Sequence, residues 1–141
     1  MKRLMLDTSV YGKLVEDPEI VEILVTQIPD KIMIYGNDVT RKELRDTPKY
    51  VRHAGKNLRI LLLTIYSKRL VHELKQNKLV ETLVRDYYKE YRRLGGSFSK
   101  RKMMNDFIIV AMATIYRLKD PVFKSYRIFK KELKSQEDFP V

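Results

Sequence analysis

The sequence predicts an α/β domain, a mostly parallel sheet flanked by helices. Two short runs, Leu4-Met5-Leu6 and Ile32–Tyr35, are apolar on both sides and end on polar turns, as strands covered on both faces do. Stretches with apolar residues at helical spacing follow each run, the alternation that builds parallel sheets. The length, 141 residues with 44% apolar and 33% charged, suits one domain with a hydrophobic core. The whole chain, 1–141, is therefore read as a single domain, with no internal repeat or low-complexity linker.

Taken in order, residues 3–7 form the first strand, which Asp7 stops. Asp17-Pro18-Glu19 opens a helix, with Asp17 as N-cap, Pro18 at the first helical position and an acid in the first turn. Ile20, Ile23, Leu24 and Ile28 continue it until Pro29-Asp30. Ile32–Tyr35 is the second strand, stopped by Gly36-Asn37-Asp38. The segment VTRKELRDTP gives a short helix closed by Pro48. A longer helix is expected from about Pro48 through Val51, Leu58, Leu62 and Ile65, then a weakly marked strand at Leu70–Leu74. Residues 77–94 are strongly amphipathic and halt at Gly95-Gly96. After the basic segment SFSKRK, the stretch MMNDFIIVAMATIYRL is apolar almost all round and predicts a buried helix. In the tail, Val122-Phe123 is a candidate strand, Tyr126, Phe129 and Leu133 share one helical face, and SQEDFPV is expected to be loose.

The net charge of +11, from 29 basic and 18 acidic residues, favours a polyanionic partner, nucleic acid first. Without cysteine there are no disulfides or thiolate metal sites, and His53 and His72 are too few for an ordinary zinc site. No apolar run approaches the roughly 20 residues of a membrane span, and Asp7 interrupts any signal-peptide core. The expectation is a cytoplasmic protein without membrane association.

In parallel sheets, ligands bind beyond the carboxyl ends of the strands. Asp7 ends the first strand, Asp38 and Glu43 follow the second, and Asp106 interrupts the most apolar segment. Carboxylates in apolar surroundings need a pairing, a hydrogen bond or a metal, and acids gathered at one edge repel unless a cation sits among them. An oxygen-rich site without Cys suits Mg2+ or Mn2+, which serve phosphodiester hydrolysis. Structural roles compete: Asp7 as a helix cap, Thr40-x-x-Glu43 as a capping box, Asp106 as a surface acid beside a Lys or Arg.

Three segments together resemble the PIN-domain nucleases. MLDTSVYGKL resembles their first motif, a strand ending in Asp followed by Thr/Ser. VTRKELRDTP resembles the second, a Glu on the helix after strand two, and MNDFIIVAMATI the third, an Asp opening a buried Ala-rich helix. The order and spacing match over about residues 1–118. The resemblance implies a Rossmann-like sheet, a Mg2+- or Mn2+-dependent ribonuclease and frequent homodimers; many members are toxins of VapBC-type toxin–antitoxin pairs. It assigns Asp7, Glu43 and Asp106 as catalytic metal ligands, with Thr8 or Ser9 steadying the site and Asp38 as a supporting acid. The segment 119–141 departs from the pattern. Where the family places a fourth acid after its fourth strand, this chain has Ser125 and Tyr126, and Asp120 precedes the candidate strand.

RNA would be held by basic residues near the edge: Lys13, Arg41, Lys42, Arg45, Lys100, Arg101 and Lys102. Tyr87, Tyr88 and Tyr91 are expected to pack, or to form a dimer surface. Two other readings compete with the nuclease: a catalytically decayed module that binds RNA or protein, and a dimer that only captures an antitoxin peptide.

Overall fold

The computed structural model describes residues 2–27, 31–68, 70–117, 125–136 and 139–140. Three parallel strands, β1 (Lys2–Met5), β2 (Ile32–Asn37) and β5 (Leu70–Leu74), form a sheet in the order β1-β2-β5. Leu4 stands opposite Ile34, and Gly36 opposite Glu73. The weakly marked segment Leu70–Leu74 is thus a strand, and it lies at one edge of this sheet.

The two apolar runs are explained by two cores, one on each face of the sheet. Leu4, Leu6, Ile32 and Ile34 face a layer made by α1 (Thr8–Val15), α2 (Pro18–Glu22), α4 (Leu58–Lys68) and α7 (Tyr126–Lys134). Met5 faces the other layer, with Val80 and Val84 of α5 (Lys78–Arg93) and Ile109 and Met112 of α6 (Lys100–Ile115). Successive strand side chains point to opposite faces, so a strand covered on both must be apolar throughout. The protein is a mixed α/β molecule with a small parallel sheet between helical layers.

Four local expectations change. The helix expected from Pro48 begins only at Leu58. Residues before it make a hairpin, β3 (Arg52–His53) and β4 (Lys56–Asn57), around Ala54-Gly55, both in the left-handed region at φ 52° and 78°. Such a pair is the turn that joins antiparallel strands most tightly. Asn57 then accepts from the Ile60 N–H at 3.2 Å and starts α4 in the manner of an N-cap.

Asp17 does occupy the N-cap position of α2, but its side chain makes no cap bond and turns to α7 instead. The helix continues from α2 as a π-helical turn, Ile23–Gln27, and Ile28, Pro29 and Asp30 lie outside the described residues. The tail is not wholly loose: Phe139 packs against the core that holds Phe129 and Leu133. Finally, Lys100–Lys102 are the first turn of α6 and not a connecting segment. The candidate strand Val122-Phe123, with Asp120, falls outside the described residues.

Gly95-Gly96 closes α5 with paired backbone bonds, Gly96 N–H to the Tyr91 carbonyl at 2.8 Å and Gly95 N–H to the Arg92 carbonyl at 3.0 Å. A Cβ at Gly96 would lie 2.3 Å from the Tyr91 ring. That ring packs on Phe107 of α6, and its hydroxyl accepts from the Phe98 N–H at 2.9 Å. The tyrosines at 87 and 91 therefore fasten α5 to α6 within the chain.

Candidate functional site

The carboxyl edge of the sheet is built by three chain reversals. β1 runs through Leu6 into Asp7, whose extended backbone turns the chain into α1. Asp7 caps that helix: its Oδ2 accepts from the Ser9 N–H at 3.3 Å and from the Ser9 hydroxyl at 2.7 Å. The capping role is thus real, yet it uses one carboxylate oxygen and leaves Oδ1 without a hydrogen bond among the described residues.

β2 ends on Asn37, which is fully buried and caps α3 (Asp38–Arg45). Its Oδ1 accepts from the Thr40 N–H at 2.7 Å, and its amide donates toward Met5 Sδ at 3.5 Å. The capping box expected at Thr40-x-x-Glu43 is therefore not formed. Asn37 has taken the cap, Thr40 lies inside the first turns, and its buried hydroxyl has no partner among the described residues. Glu43, released from a capping role, points to α1, where the Thr8 hydroxyl donates to its Oε1 at 3.1 Å.

Burial raises the pKa of Glu43, the Thr8 hydrogen bond opposes that shift, and the fields of Asp7, Asp106 and Asp46 raise it further. Burial and nearby like charges both disfavour an ionised carboxylate. Asp106, on an exposed part of α6, belongs to the group by this mutual field. Asp7 and Asp106, from two other elements, thus stand within electrostatic range of Glu43.

Asp38 stands apart. It opens α3, its Oδ1 accepts from the Val39 N–H at 3.0 Å, and its Oδ2 accepts from Gln76 at 3.3 Å. It acts as a first-turn acid joined to the chain after β5, and it is not among the charges that shift Glu43.

A brace that the sequence did not announce holds α3 from the other side. The Tyr66 hydroxyl of α4 lies 3.1 Å from the Asn37 carbonyl and 3.2 Å from Glu73 Oε2, two acceptors for its proton. Glu73 Oε1 receives Arg41 Nε at 3.0 Å. Burial and the Glu73 carboxylate push the Tyr66 pKa up, which keeps it a donor. The Asn before the helix was a readable cap signal. Tyr66 and Glu73 were not readable, because their partners lie far away in sequence.

The basic candidates divide. Lys13 pairs with Glu16 at 3.7 Å, Lys42 with Asp46 at 4.0 Å, and Arg41 with Glu73. Arg45 and Lys100 are exposed and carry no ion pair among the described residues. The side chains of Arg101 and Lys102 lie outside the described ones, as does that of His72. His53 lies in the hairpin strand β3.

The donor set of three carboxylates and a hydroxyl suits a hard divalent cation such as Mg2+ or Mn2+. Among the described residues, no group of three His, Asp or Glu side chains stands close enough as placed to hold one. The acids share a field without yet sharing a point. No protein-family model matches the chain, and no curated protein does. No described helix is long and apolar enough to cross a membrane.

Proposed function

We propose that this protein is a metal-dependent ribonuclease of PIN-like fold that hydrolyses RNA phosphodiesters at the carboxyl edge of its sheet. The observation that carries the reading is geometric: Asp7 ends β1 at the carboxyl edge of the sheet, and Glu43 on α3 accepts from Thr8, the residue after Asp7, at 3.1 Å. Gathering like charges costs stability, and functional sites are where such arrangements concentrate. The net charge of +11 supports a polyanionic substrate.

In this reading Asp7, Glu43 and Asp106 hold Mg2+ or Mn2+. The Asp7 Oδ1, free of hydrogen bonds among the described residues, and the exposed Asp106 are the available oxygens. When bound, the cation supplies charge neutralisation at the scissile phosphate and activation of water for in-line attack. The chain's own residues position the acids. Ser9 orients Asp7, Thr8 orients Glu43, and the Asn37–Tyr66–Glu73–Arg41 brace holds the helix that carries Glu43. An antitoxin protein and a second copy of the chain belong to the same reading as partners.

The test is cleavage of a labelled single-stranded RNA by purified protein, with Mg2+ or Mn2+ and with EDTA. The expected result is metal-dependent cleavage that Asp7→Asn and Asp106→Asn abolish while the fold persists. Absence of cleavage with either metal, or variants as active as wild type, would leave the decayed binding module as the better account.

A further inference from the structure

The outer face of α5 carries a stripe of positive charge. Lys78, Arg85, Lys89 and Arg92 fall within about 60° of arc at 3.6 residues per turn, and span roughly 21 Å of helix. All four are exposed, and none forms an ion pair among the described residues. Among the described residues, Arg92 donates only to the Gly96 carbonyl, at 3.2 Å.

Only part of this placement is explained by the helix itself: Arg92 suits the last turn, and Glu81 and Asp86 stand at i−4 of Arg85 and i−3 of Lys89. Lys78 is the first residue of α5, where the helix dipole disfavours a cation. Arg85 and Lys89 are like charges at i,i+4, and Lys89 and Arg92 at i,i+3, spacings at which neighbours on the helix surface repel. The same helix does pair charges elsewhere, as Glu90 with Arg93.

Beside the stripe, between α5 and α6, runs a groove of about 270 Å³. Val80, Val84, Met104 and Ile108 line it with apolar surface, Arg85 and Lys100 supply positive charge on its two sides, and Glu81 is the one acid in its wall. Gln76 also lines the groove and donates to Asp38, the residue that opens α3. The groove therefore reaches the chain after β5 and, through Gln76, the start of α3.

We infer that the α5 stripe and the α5–α6 groove form a binding track for single-stranded RNA. Lys78, Arg85 and Lys89 meet successive phosphates, and the apolar groove receives an unstacked base. The proposal deepens the ribonuclease reading by naming a path for its substrate, and it rests on that reading only for the direction of the path.

The experiment is fluorescence anisotropy of a single-stranded RNA of about 12 nucleotides with full-length protein in EDTA, over a salt series. The triple variant Lys78→Gln, Arg85→Gln, Lys89→Gln is compared with a matched triple on α7, Arg127→Gln, Lys131→Gln, Lys134→Gln. The α5 triple is expected to bind at least about 10-fold more weakly at low salt. Its slope of log affinity against log salt should fall by about 2, since each single-strand phosphate contact contributes about 0.7. Its melting temperature should change little, because all three side chains are exposed and the favourable and unfavourable charge spacings on α5 nearly offset. The α7 triple should keep most of the affinity.

Equal losses in both triples, no loss in the α5 triple, no RNA binding by wild type, or equal affinity for duplex RNA or polyglutamate would each overturn the proposal. Binding through α5 without cleavage in Mg2+ or Mn2+ would leave the track standing and remove the nuclease. Cleavage with an α5 triple that binds and cuts like wild type would do the reverse.

Discussion

The corner where α2 meets α7 and the carboxyl edge of the sheet each hold a half-buried carboxylate, and they treat it in opposite ways. At the corner, Asp17 Oδ2 accepts from the Tyr126 hydroxyl at 2.7 Å and from Lys130 Nζ at 3.0 Å. Burial alone would raise its pKa, but these donors hold it below the ordinary value. At the edge, burial raises the Glu43 pKa, its single hydroxyl donor only partly opposes that, and three acids in range add to it. The first acid stabilises the fold. The second is a cost to it, tolerable where a cation or substrate repays it.

The sharpest way to break this contrast is to neutralise each site and measure both cleavage and stability. Asp7→Asn and Asp106→Asn should lower RNA cleavage by more than about 100-fold, beyond the range usual for residues that merely support ligands. Their melting temperatures should change little. If cleavage survives in either, the edge is not the reacting site.

Asp17→Asn should do the opposite. Losing two charge-assisted bonds in a partly exposed setting should cost about 1 kcal/mol, read by urea unfolding, with cleavage per folded molecule unchanged. A loss of activity at constant stability would mean that α7 serves the site and does not only close the core.

Acid titration sharpens the comparison further. Asp17 has its folded pKa below the unfolded value of about 3.9, so its contribution is present above that pH and is lost as pH falls through the folded pKa. Glu43 has its folded pKa above the unfolded value of about 4.3, so its destabilising contribution grows as pH rises from the unfolded towards the folded pKa and is complete above it. Comparing melts of wild type and Asp17→Asn between about pH 2 and 5 should show the difference closing at the acid end.

The smallest effect is also the most telling. Glu43→Gln should leave the melting temperature at pH 7 level or slightly higher while removing cleavage. Added Mn2+ should raise the melting temperature of wild type and not of this variant, as expected when a ligand binds only the intact folded site. A Mn2+ shift of equal size in both would remove Glu43 from the metal site.

Much of this was legible in the chain. The parallel sheet follows from Leu4-Met5-Leu6 and Ile32–Tyr35, because only strands covered on both faces need apolar residues at every position. Helix α5 was readable to within a residue from its periodic apolar face and Gly95-Gly96, and it starts at Lys78 with Asn77 as cap. The places of Asp7 after β1, Glu43 on α3 and Asp106 on α6 were legible because each interrupts or follows an apolar run at the end of a strand or on a neighbouring helix.

What was not legible depended on competition between local signals. Thr40-x-x-Glu43 satisfied the capping-box pattern, yet Asn37 lay three residues ahead of Thr40 and reached its N–H first. The hairpin before α4 hid behind Pro48, since Ala54 is an unusual residue for the left-handed region. Asp17 read as a cap, and its use by Tyr126 and Lys130 spans more than a hundred positions of chain.

By itself, then, the sequence determined which segments are strands buried on both faces, where most helices begin and end, and which acids lie at strand ends. These are properties of neighbours along the chain, set by periodicity, capping and backbone geometry. Only the tertiary structure decided which acids share a field, which basic residues are already paired, and that Tyr66, Glu73 and Arg41 brace the helix of Glu43. Electrostatic and hydrogen-bond partnerships depend on distance in space, and the fold sets that distance by stacking elements that the chain keeps far apart.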